Sequence, residues 1–417
     1  MKVYVEVYGC TANKSDANLL KGLIHKHPQH HLVTNVDDAD VLVILTCTVI
    51  DTTEQRMLHR IKELVNTEKK VVIAGCMASV QQDLLKDHFQ QALLLPPRKI
   101  HQFFDLLDNK KLDESMSQKA FAPKQCSQLI APIAIAEGCL FSCTYCITHL
   151  ARGNLYSYPE KAIISSVKDA INQGCKEIQI TAQDTASYGL DQHSSLPHLL
   201  NNIVTISDSI MIRVGMMNPR TASKILPDLL PLFNHPQIYS FLHLPIQSGN
   251  NTILQKMNRG YHVEDAEKTI SEFRIKNPDL TLSTDAIVGF PGETNEQFNQ
   301  TKQVLQRIKP DVVNITRFSA RPFTKAKKME GRIRTEIVKQ RSRELTALCK
   351  KLTRERNKRY LGKSMNVLTL TEGTKQTTIA RSMNYKPVII PKQVPLGEQR
   401  LVEITNATET HLVGMLK

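Results

Sequence analysis

Short apolar segments alternate with helical segments along the first three quarters of the chain. This alternation limits the fold more than any other feature. In residues 1 to about 115, apolar runs such as 41–45 and 71–74 are each followed by a helical pattern. Alternating strands and helices of this kind are typical of a parallel sheet covered by helices. We therefore predict a mixed α/β protein whose first domain, residues 1–110, contains a small parallel sheet.

After a polar segment at about 109–124, interpreted as a linker, the alternation resumes on a larger scale. Further strands are predicted at 130–136, 177–181, 211–215, 240–245, 281–288 and 312–318. Helical patterns separate these strands, and six β/α units indicate an open, partial barrel. Functional sites in such barrels lie at the C-terminal ends of the strands. We assign residues 125–355 to this central domain, which includes most of a long basic helix predicted at 336–360.

The pattern changes again near residue 356. Short β runs are predicted at 365–371, 376–381, 386–390, 401–407 and 412–416, with Gly, Asn and Pro between them. Several short strands in so few residues favour a small β-barrel similar to an OB-fold. We assign residues 356–417 to this third domain.

The composition is that of an ordinary globular protein, with 41% hydrophobic and 23% charged residues. The chain contains no apolar run of about 18 residues, and its N-terminus contains no signal-peptide pattern. We therefore predict a cytoplasmic protein that does not bind membranes.

The net charge of +14 is concentrated in one segment. Between Arg317 and Lys363 there are 17 Lys and Arg residues against 4 Glu residues, a local net charge of +13. Such a segment is either a solvated helix face or a surface that binds a polyanion through phosphate contacts.

Three of the nine cysteines form a C-x3-C-x2-C pattern directly after the first predicted barrel strand. They are Cys139, Cys143 and Cys146. Thiolates are the usual ligands of iron–sulfur clusters, and three of them leave one iron of a [4Fe–4S] cluster open to a reactant. The alternative is a structural zinc loop, but zinc loops usually show paired C-x2-C patterns.

Three other cysteines, Cys10, Cys47 and Cys76, each follow a predicted strand of the N-terminal domain. Since the C-terminal ends of parallel strands share one edge of a sheet, these thiols are expected to converge there and to hold a second cluster. The alternative is that they are buried packing residues. The remaining cysteines, interpreted as structural or exposed thiols, are Cys126, Cys175 and Cys349.

The position of the C-x3-C-x2-C pattern resembles the signature of the radical S-adenosylmethionine (SAM) superfamily. That resemblance implies that the open iron binds SAM and that cleavage of SAM yields a 5′-deoxyadenosyl radical. The cofactor supplies the difficult chemistry, while the protein positions it.

The chain further resembles the methylthiotransferases within that superfamily. The similar segments are 8–16, 46–49, 74–77, 137–146, 151–153, 243–249, 257–260 and 284–294. The segment 380–388 resembles the TRAM domain, an RNA-binding β-barrel. The wording is closest to the archaeal and eukaryotic branch, the threonylcarbamoyladenosine tRNA methylthiotransferases.

This resemblance implies two [4Fe–4S] clusters and SAM as cofactors. It also implies a tRNA substrate in which N6-threonylcarbamoyladenosine, immediately 3′ of the anticodon, receives a methylthio group. The further partners implied are a flavodoxin- or ferredoxin-like electron donor and a sulfur donor.

Polar residues and one glycine at predicted strand ends are candidates for binding SAM. They are Gln183, Asp184, Asn218, Gln247, Ser248 and Gly289. Arg152 is a further candidate, because it could neutralise the cluster or the SAM carboxylate. The alternatives are ordinary surface loops, a turn and a salt bridge.

Candidate RNA contacts lie in the C-terminal barrel. They are Arg381, Asn384, Tyr385 and Lys386. The tyrosine could stack on a base and the cations could bind phosphates, although a lone tyrosine in a strand more often serves packing.

Two other functions remain open. The same chemistry could act on another target, such as isopentenyl-adenosine in tRNA or an aspartate of a ribosomal protein. A non-catalytic RNA-binding protein with a structural metal would share the basic segment and the β-barrel.

Overall fold

The N-terminal unit is a five-stranded parallel sheet with strand order β2-β1-β3-β4-β5. The structure of the protein is a computed structural model, which describes residues 1–126 and 128–417. The elements of the N-terminal unit are β1 (Lys2–Val7), α1 (Thr11–Lys26), β2 (His31–Val33), β3 (Val41–Thr46), α2 (Asp51–Val65), β4 (Lys70–Gly75), α3 (Cys76–Val80), α4 (Gln82–His88) and β5 (Leu93–Leu95). The prediction of a parallel-sheet α/β unit is confirmed.

Strand β3 shows why the apolar runs form the centre of this sheet. All six of its residues are buried. Val41 and Val43 pack into a core that includes α1, whereas Leu42 and Ile44 pack into a second core that includes α2. Helices cover both faces, so the strand is apolar throughout and does not alternate with polar residues.

The segment predicted to be a polar linker contains structure. After a 3₁₀ helix (Pro97–Gln102) and α5 (Phe103–Leu107), the chain forms α6 (Met116–Phe121). Met116 and Ala120 of α6 are buried in the core of the central unit. Because only one face of this short helix is apolar, its pattern reads as polar in the sequence.

The central unit contains two three-stranded parallel sheets, ordered β10-β9-β6 and β11-β12-β13. Its strands are β6 (Ile130–Ala134), β7 (Ala136–Glu137), β8 (Tyr156–Ser157), β9 (Glu177–Thr181), β10 (Met211–Val214), β11 (Phe241–His243), β12 (Thr281–Val288) and β13 (Val312–Arg317). Backbone hydrogen bonds from Tyr239 to Ile212 and from Met217 to His243, both 2.9 Å, join the two sheets. The six predicted strands therefore form the partial barrel.

Helices separate the barrel strands, and a long helix follows the last one. They are α7 (Ile147–Arg152), α8 (Glu160–Asn172), α9 (Leu196–Val204), α10 (Pro219–Ala222), α11 (Leu226–Leu229), α12 (Asn251–Lys256), α13 (Val263–Lys276), α14 (Asn295–Ile308) and α15 (Thr335–Lys358). Short 3₁₀ helices lie at Thr185–Ser187, Leu232–Asn234 and Lys325–Lys328. Helix α15 buries Val338, Leu345 and Cys349 against the barrel. It exposes the basic side chains Lys339, Arg343, Lys350, Lys351, Arg354 and Lys358.

The C-terminal unit is a closed five-stranded barrel with strand order β14-β15-β16-β18-β17. Its strands are β14 (Ser364–Glu372), β15 (Thr378–Ser382), β16 (Pro387–Ile390), β17 (Gln399–Ala407) and β18 (Leu412–Leu416). Pairing of β14 with β17 closes the barrel. Across the residues that the structure describes, no helix is long and apolar enough to span a membrane.

Candidate active site

The three N-terminal cysteines lie at the C-terminal edge of the N-terminal sheet. Cys10 precedes α1, Cys47 follows β3, and Cys76 begins α3 directly after β4. Their strands, β1, β3 and β4, are neighbours. A Cβ atom built on Gly9 would lie 2.9 Å from the Cβ atom of Cys47, so these loops are in direct contact. The structure thus brings the three thiols to one edge.

Side-chain hydrogen bonds hold these loops together. The amide nitrogen of Asn13 donates to the carbonyl oxygens of Tyr8 (2.7 Å) and Thr46 (2.9 Å). The Thr46 hydroxyl donates to the Ala74 carbonyl oxygen at 2.7 Å. Each of the three strand ends is therefore tied to its neighbour, which fixes the relative positions of the cysteine loops.

Burial favours the protonated form of two of the N-terminal thiols, those of Cys47 and Cys76, when no metal is bound. It raises the pKa of Cys47, and it raises the pKa of Cys76 to about 12 despite the opposing charge of Arg152. Metal ligation requires the thiolate, so a metal that binds here must displace protons.

The second cysteine set lies on the loop between β7 and α7. The Cys139 N–H donates to the Gly153 carbonyl oxygen, and the Cys146 N–H donates to the Cys143 carbonyl oxygen, both at 3.0 Å. Burial raises the pKa of Cys139 to about 12 and also raises that of Cys146. The loop is thus closed on itself, with its three thiols half-buried.

The turn after α12 supports this cysteine loop. The Thr144 N–H donates to the Met257 carbonyl oxygen at 3.1 Å, and Asn258 donates to the Ser142 carbonyl oxygen at 3.0 Å. Arg259, which is 5% exposed, donates to the Cys143 sulfur at 3.4 Å. Arg259 was not among the residues predicted from the sequence. Its only signal was its place in the segment 257–260.

The cysteine sets fit an iron–sulfur cluster by their donor chemistry. Over residues 1–126 and 128–417, no three Cys, His, Asp or Glu side chains surround a point where a single metal ion would bind. In a four-iron cluster each thiolate binds its own iron, so its ligands need not converge on one ion. All six thiols are free.

At the end of β9, one of the two predicted SAM contacts has a free acceptor. Within the described residues, Gln183 Oε1 is buried without a hydrogen-bond partner. Such an acceptor fits the ammonium group of SAM. Asp184, in contrast, accepts from the Asn218 N–H (2.9 Å) and the Thr221 hydroxyl (2.7 Å), and burial raises its pKa to about 6.

The remaining predicted contacts from the strand ends have structural partners. Asn218 Oδ1 accepts from the Arg220 N–H at the start of α10, and Ser248 Oγ accepts from the Asn250 N–H. The backbone of Gln247 pairs with β12. We expected Gly289 to permit approach of an adenine. Instead, a Cβ atom there would lie 2.5 Å from Val338 of α15, so its missing side chain makes room for this helix.

A polar group that sequence analysis missed lies on the last three barrel strands. The Asp285 carboxylate accepts hydrogen bonds from His243 Nε2 (3.2 Å) and from the side-chain amide of Asn314 (2.7 Å). Burial opposes ionisation of Asp285, but these hydrogen bonds outweigh it and hold the pKa below its usual value. The available signal was polar residues inside otherwise apolar strands.

Arg152 connects the two cysteine regions. Its guanidinium donates to Glu137 (2.7 Å) in the central unit and to Asp16 (2.8 Å) and Asn13 (2.7 Å) in the N-terminal unit. Lys119 of α6 completes the network by pairing with both carboxylates. Arg152 was expected at the second cluster or at the SAM carboxylate. The structure directs it toward the N-terminal thiols.

Three of the four predicted RNA contacts lie between the C-terminal barrel and the central unit. Lys386 is 3% exposed and pairs with Asp311 at 2.7 Å. The Tyr385 hydroxyl donates to Glu177 at 3.0 Å, and Asn384 donates to the Asp279 carbonyl oxygen at 3.0 Å. We therefore correct that expectation: these polar groups are used to dock the barrel. The role of Arg381 stays a prediction.

Family models and relatives agree with this geometry. Residues 2–95 match the model described as Uncharacterized protein family UPF0004, and residues 133–305 match the Radical SAM superfamily. The "Probable threonylcarbamoyladenosine tRNA methylthiotransferase" of Pyrococcus abyssi is 40% identical over 425 residues, which cover 99% of each chain. The corresponding Homo sapiens protein is 31% identical, with 97% of this chain and 71% of the human protein covered.

Solved structures support the fold. The radical SAM methyltransferase TsrM from Kitasatospora setae aligns with a TM-score of 0.57 and 13% identity, over 78% of this chain and 74% of TsrM. The partial barrel and its cysteine loop thus define a radical SAM protein with an N-terminal α/β domain. The full-length identities show that the chain belongs to the threonylcarbamoyladenosine tRNA methylthiotransferase family. Membership in the radical SAM superfamily implies SAM and a [4Fe–4S] cluster as cofactors.

Proposed function

We propose that this protein converts N6-threonylcarbamoyladenosine, immediately 3′ of the tRNA anticodon, to its 2-methylthio derivative. The observation that carries the proposal is the 40% identity to relatives of that name over essentially the whole chain. The arrangement of two cysteine loops, linked through Arg152, is consistent with a reaction that needs both regions at once.

Each cysteine set would hold one [4Fe–4S] cluster, and SAM would bind at the mouth of the barrel. When bound, these groups supply sulfur, a methyl group and the one-electron chemistry that removes hydrogen from C2 of the adenine. Arg259 offsets negative charge at Cys143, and Gln183 Oε1 offers an acceptor for the SAM ammonium. Arg152 holds the two cysteine regions together by hydrogen bonds across the contact between the N-terminal and central units.

The partners follow from this chemistry. The exposed cations of α15 provide phosphate contacts for a tRNA. A flavodoxin- or ferredoxin-like protein would supply electrons, and a separate donor would replace the sulfur consumed in each turnover. The protein would act in the cytoplasm, where its tRNA substrate is found.

The first test is anaerobic reconstitution followed by iron counting and turnover. The wild type should bind about eight irons, and the triple Cys10/Cys47/Cys76→Ala and Cys139/Cys143/Cys146→Ala variants about four each. Mass spectrometry should detect the methylthio product only with wild type, and only on tRNA carrying the threonylcarbamoyl group. Product on isopentenyl-adenosine instead would assign a different target, and about four irons in the wild type would refute the second cluster.

A further inference from the structure

A short segment between β13 and α15, here called the strap (residues 321–328), connects the two cysteine loops. At its start, the Arg321 guanidinium donates to Thr48 at 3.2 Å and also contacts Glu54. Thr48 directly follows Cys47. Near its end, the Ala326 N–H donates at 2.8 Å to the carbonyl oxygen of Thr144, which lies between Cys143 and Cys146.

Both ends of the strap are firmly held. Arg321 and Ala326 are 4% and 1% exposed. The Thr324 hydroxyl, also buried, donates to the Arg321 carbonyl oxygen at 2.7 Å. The strap is therefore held in a defined position by hydrogen bonds to one residue beside Cys47 and one residue beside Cys143.

Phe323, between these anchors, projects into solvent with 68% of its surface exposed. It is the third residue of a β-turn closed by a hydrogen bond from Thr324 to Arg321 (3.4 Å), and its φ is +63°. Glycine is the usual residue at a turn position with positive φ, because a side chain is strained there. Neither the turn nor the adjacent apolar cluster, which includes Phe318 and Ala326, accounts for a phenyl ring.

The rest of the strap is basic. Lys325, Lys327 and Lys328 are all exposed and directly follow the turn. An exposed aromatic ring with adjacent cations matches single-stranded nucleic acid, in which a base stacks on the ring and phosphates pair with the cations. This complementarity of charge favours RNA over a protein partner.

We propose that the strap is a docking platform for the RNA substrate, on which Phe323 stacks against an unstacked base of the anticodon loop. The strap lysines bind the neighbouring phosphates. The proposal rests on the proposed function, because a base that reacts between the two cysteine sets must leave its own stack. Phe323 acts as a positioning residue for that base or for its neighbour.

The chain contains no tryptophan, so a substitution can report on stacking directly. In a Phe323→Trp variant of the full-length reconstituted enzyme, the single indole should be quenched by an anticodon stem-loop RNA. Quenching should saturate at the RNA concentration that saturates binding, measured by anisotropy of labelled RNA. The base-free polyanion heparin should not cause it. Phe121→Trp is the matched control, because Phe121 is 58% exposed on α6.

A second variant distinguishes the role of the phenyl ring in RNA binding from any role in folding. Phe323→Gly removes the ring while relieving the strain of the positive φ, so its unfolding temperature should not fall. Its RNA affinity should fall by roughly 5- to 150-fold, the range measured for loss of one aromatic–base stack. Phe323→Tyr should restore most of this affinity, and Phe121→Gly should leave it unchanged.

Two results would overturn the proposal. One is RNA binding, shown by anisotropy, without quenching in Phe323→Trp; the exposed ring would then be available to a protein partner instead. The other is wild-type affinity in Phe323→Gly. If wild type itself neither binds nor modifies tRNA, the proposed function fails. If wild type does both and the Phe323 variants match it, only the platform is refuted.

Discussion

Arg259 is the residue whose contact with the cysteine loop most directly affects the metal chemistry. Its buried guanidinium donates to the Cys143 sulfur and to the Pro245 carbonyl oxygen, so it ties the loop to the end of the fourth barrel strand. A buried cation next to a metal-ligating thiolate would offset the negative charge of that ligand. Residues that contact metal ligands in this way influence both affinity and reactivity.

We expect Arg259→Lys to lower iron retention at the second cysteine loop and SAM cleavage by about 10- to 100-fold. Lysine keeps the charge, but it lacks the planar fork that reaches Cys143 and Pro245 together. Iron per chain after a chelator challenge, and 5′-deoxyadenosine production, are the measurements.

Arg307→Lys is the control, because among the described residues Arg307 forms an ion pair only with Glu267, on the outer surface at 2.9 Å. Iron retention in Arg259→Lys equal to that of the control would show that the Cys143 contact has no role in holding the cluster.

At the scale of elements, helix α15 combines two properties on opposite faces. Its apolar face packs on the barrel, and Arg341 pairs with Glu293 at 2.8 Å beside the loop after β12. Val338 approaches Gly289 so closely that no side chain fits there. The position of the basic helix, and of the strap before it, therefore depends on a glycine at the mouth of the barrel.

Gly289→Ala is expected to destabilise the protein by about 1–3 kcal/mol through overpacking, in addition to backbone strain. The added Cβ would meet Val338 at 2.5 Å, and the residue's φ is +80°. The change in free energy of unfolding from urea titration is the measurement.

Gly362→Ala tests backbone strain alone, because Gly362 has a φ of +74° and no atom of the described residues lies within 4 Å of the added Cβ. Adding Val338→Ala to Gly289→Ala should recover part of the loss, as a double-mutant cycle would reveal. Equal losses for the two glycine variants would argue against a steric role for Val338.

At the scale of the whole molecule, a buried quartet of charges joins the N-terminal and central units. Asp16, Lys119, Glu137 and Arg152 are each at most 4% exposed. Two cations face two anions, so the group is neutral. Removal of one member would leave an uncompensated buried charge, which is far more costly than loss of an exposed ion pair.

We predict that Lys119→Met destabilises the protein by about 3–5 kcal/mol at neutral pH, for this reason. Urea-induced unfolding and limited proteolysis between the two units are the measurements. Lys110→Met is the control, because the ion pairs that Lys110 forms within the described part of the chain, with Asp105 and Asp108, are exposed. This substitution should change stability by under about 1 kcal/mol.

The quartet also sets a pH dependence. Burial disfavours the Glu137 carboxylate, but Lys119 and Arg152 outweigh it and lower the pKa of Glu137 from 4.5 to about 2. Its stabilisation is therefore complete above pH 4.5 and is lost as the pH falls toward 2. Glu137→Gln should flatten this part of the stability profile.

A Lys119→Met variant as stable as Lys110→Met would contradict the role of the quartet.

The sequence predicted the three structural units and the two cysteine sets because these depend on local patterns. Apolar runs such as 41–45 must be buried on both faces, and the C-x3-C-x2-C spacing places three thiols on one loop whatever surrounds it. The convergence of Cys10, Cys47 and Cys76 followed from the parallel order of their strands. The division at residues 110, 125 and 355 stays a prediction.

Tertiary structure decided which polar side chains are free and which are already bonded. Lys386 and Asp184 resemble ligand-binding residues in the sequence. In the structure, Lys386 forms an ion pair with Asp311, and Asp184 accepts hydrogen bonds from residues at the start of α10. Arg259 and Phe323 gave little signal in the sequence. Arg259 contacts Cys143, and Phe323 is exposed on a segment that bonds to both cysteine regions. Hydrogen-bond partners and burial depend on residues distant in the chain, and spacing along a sequence carries no information about them.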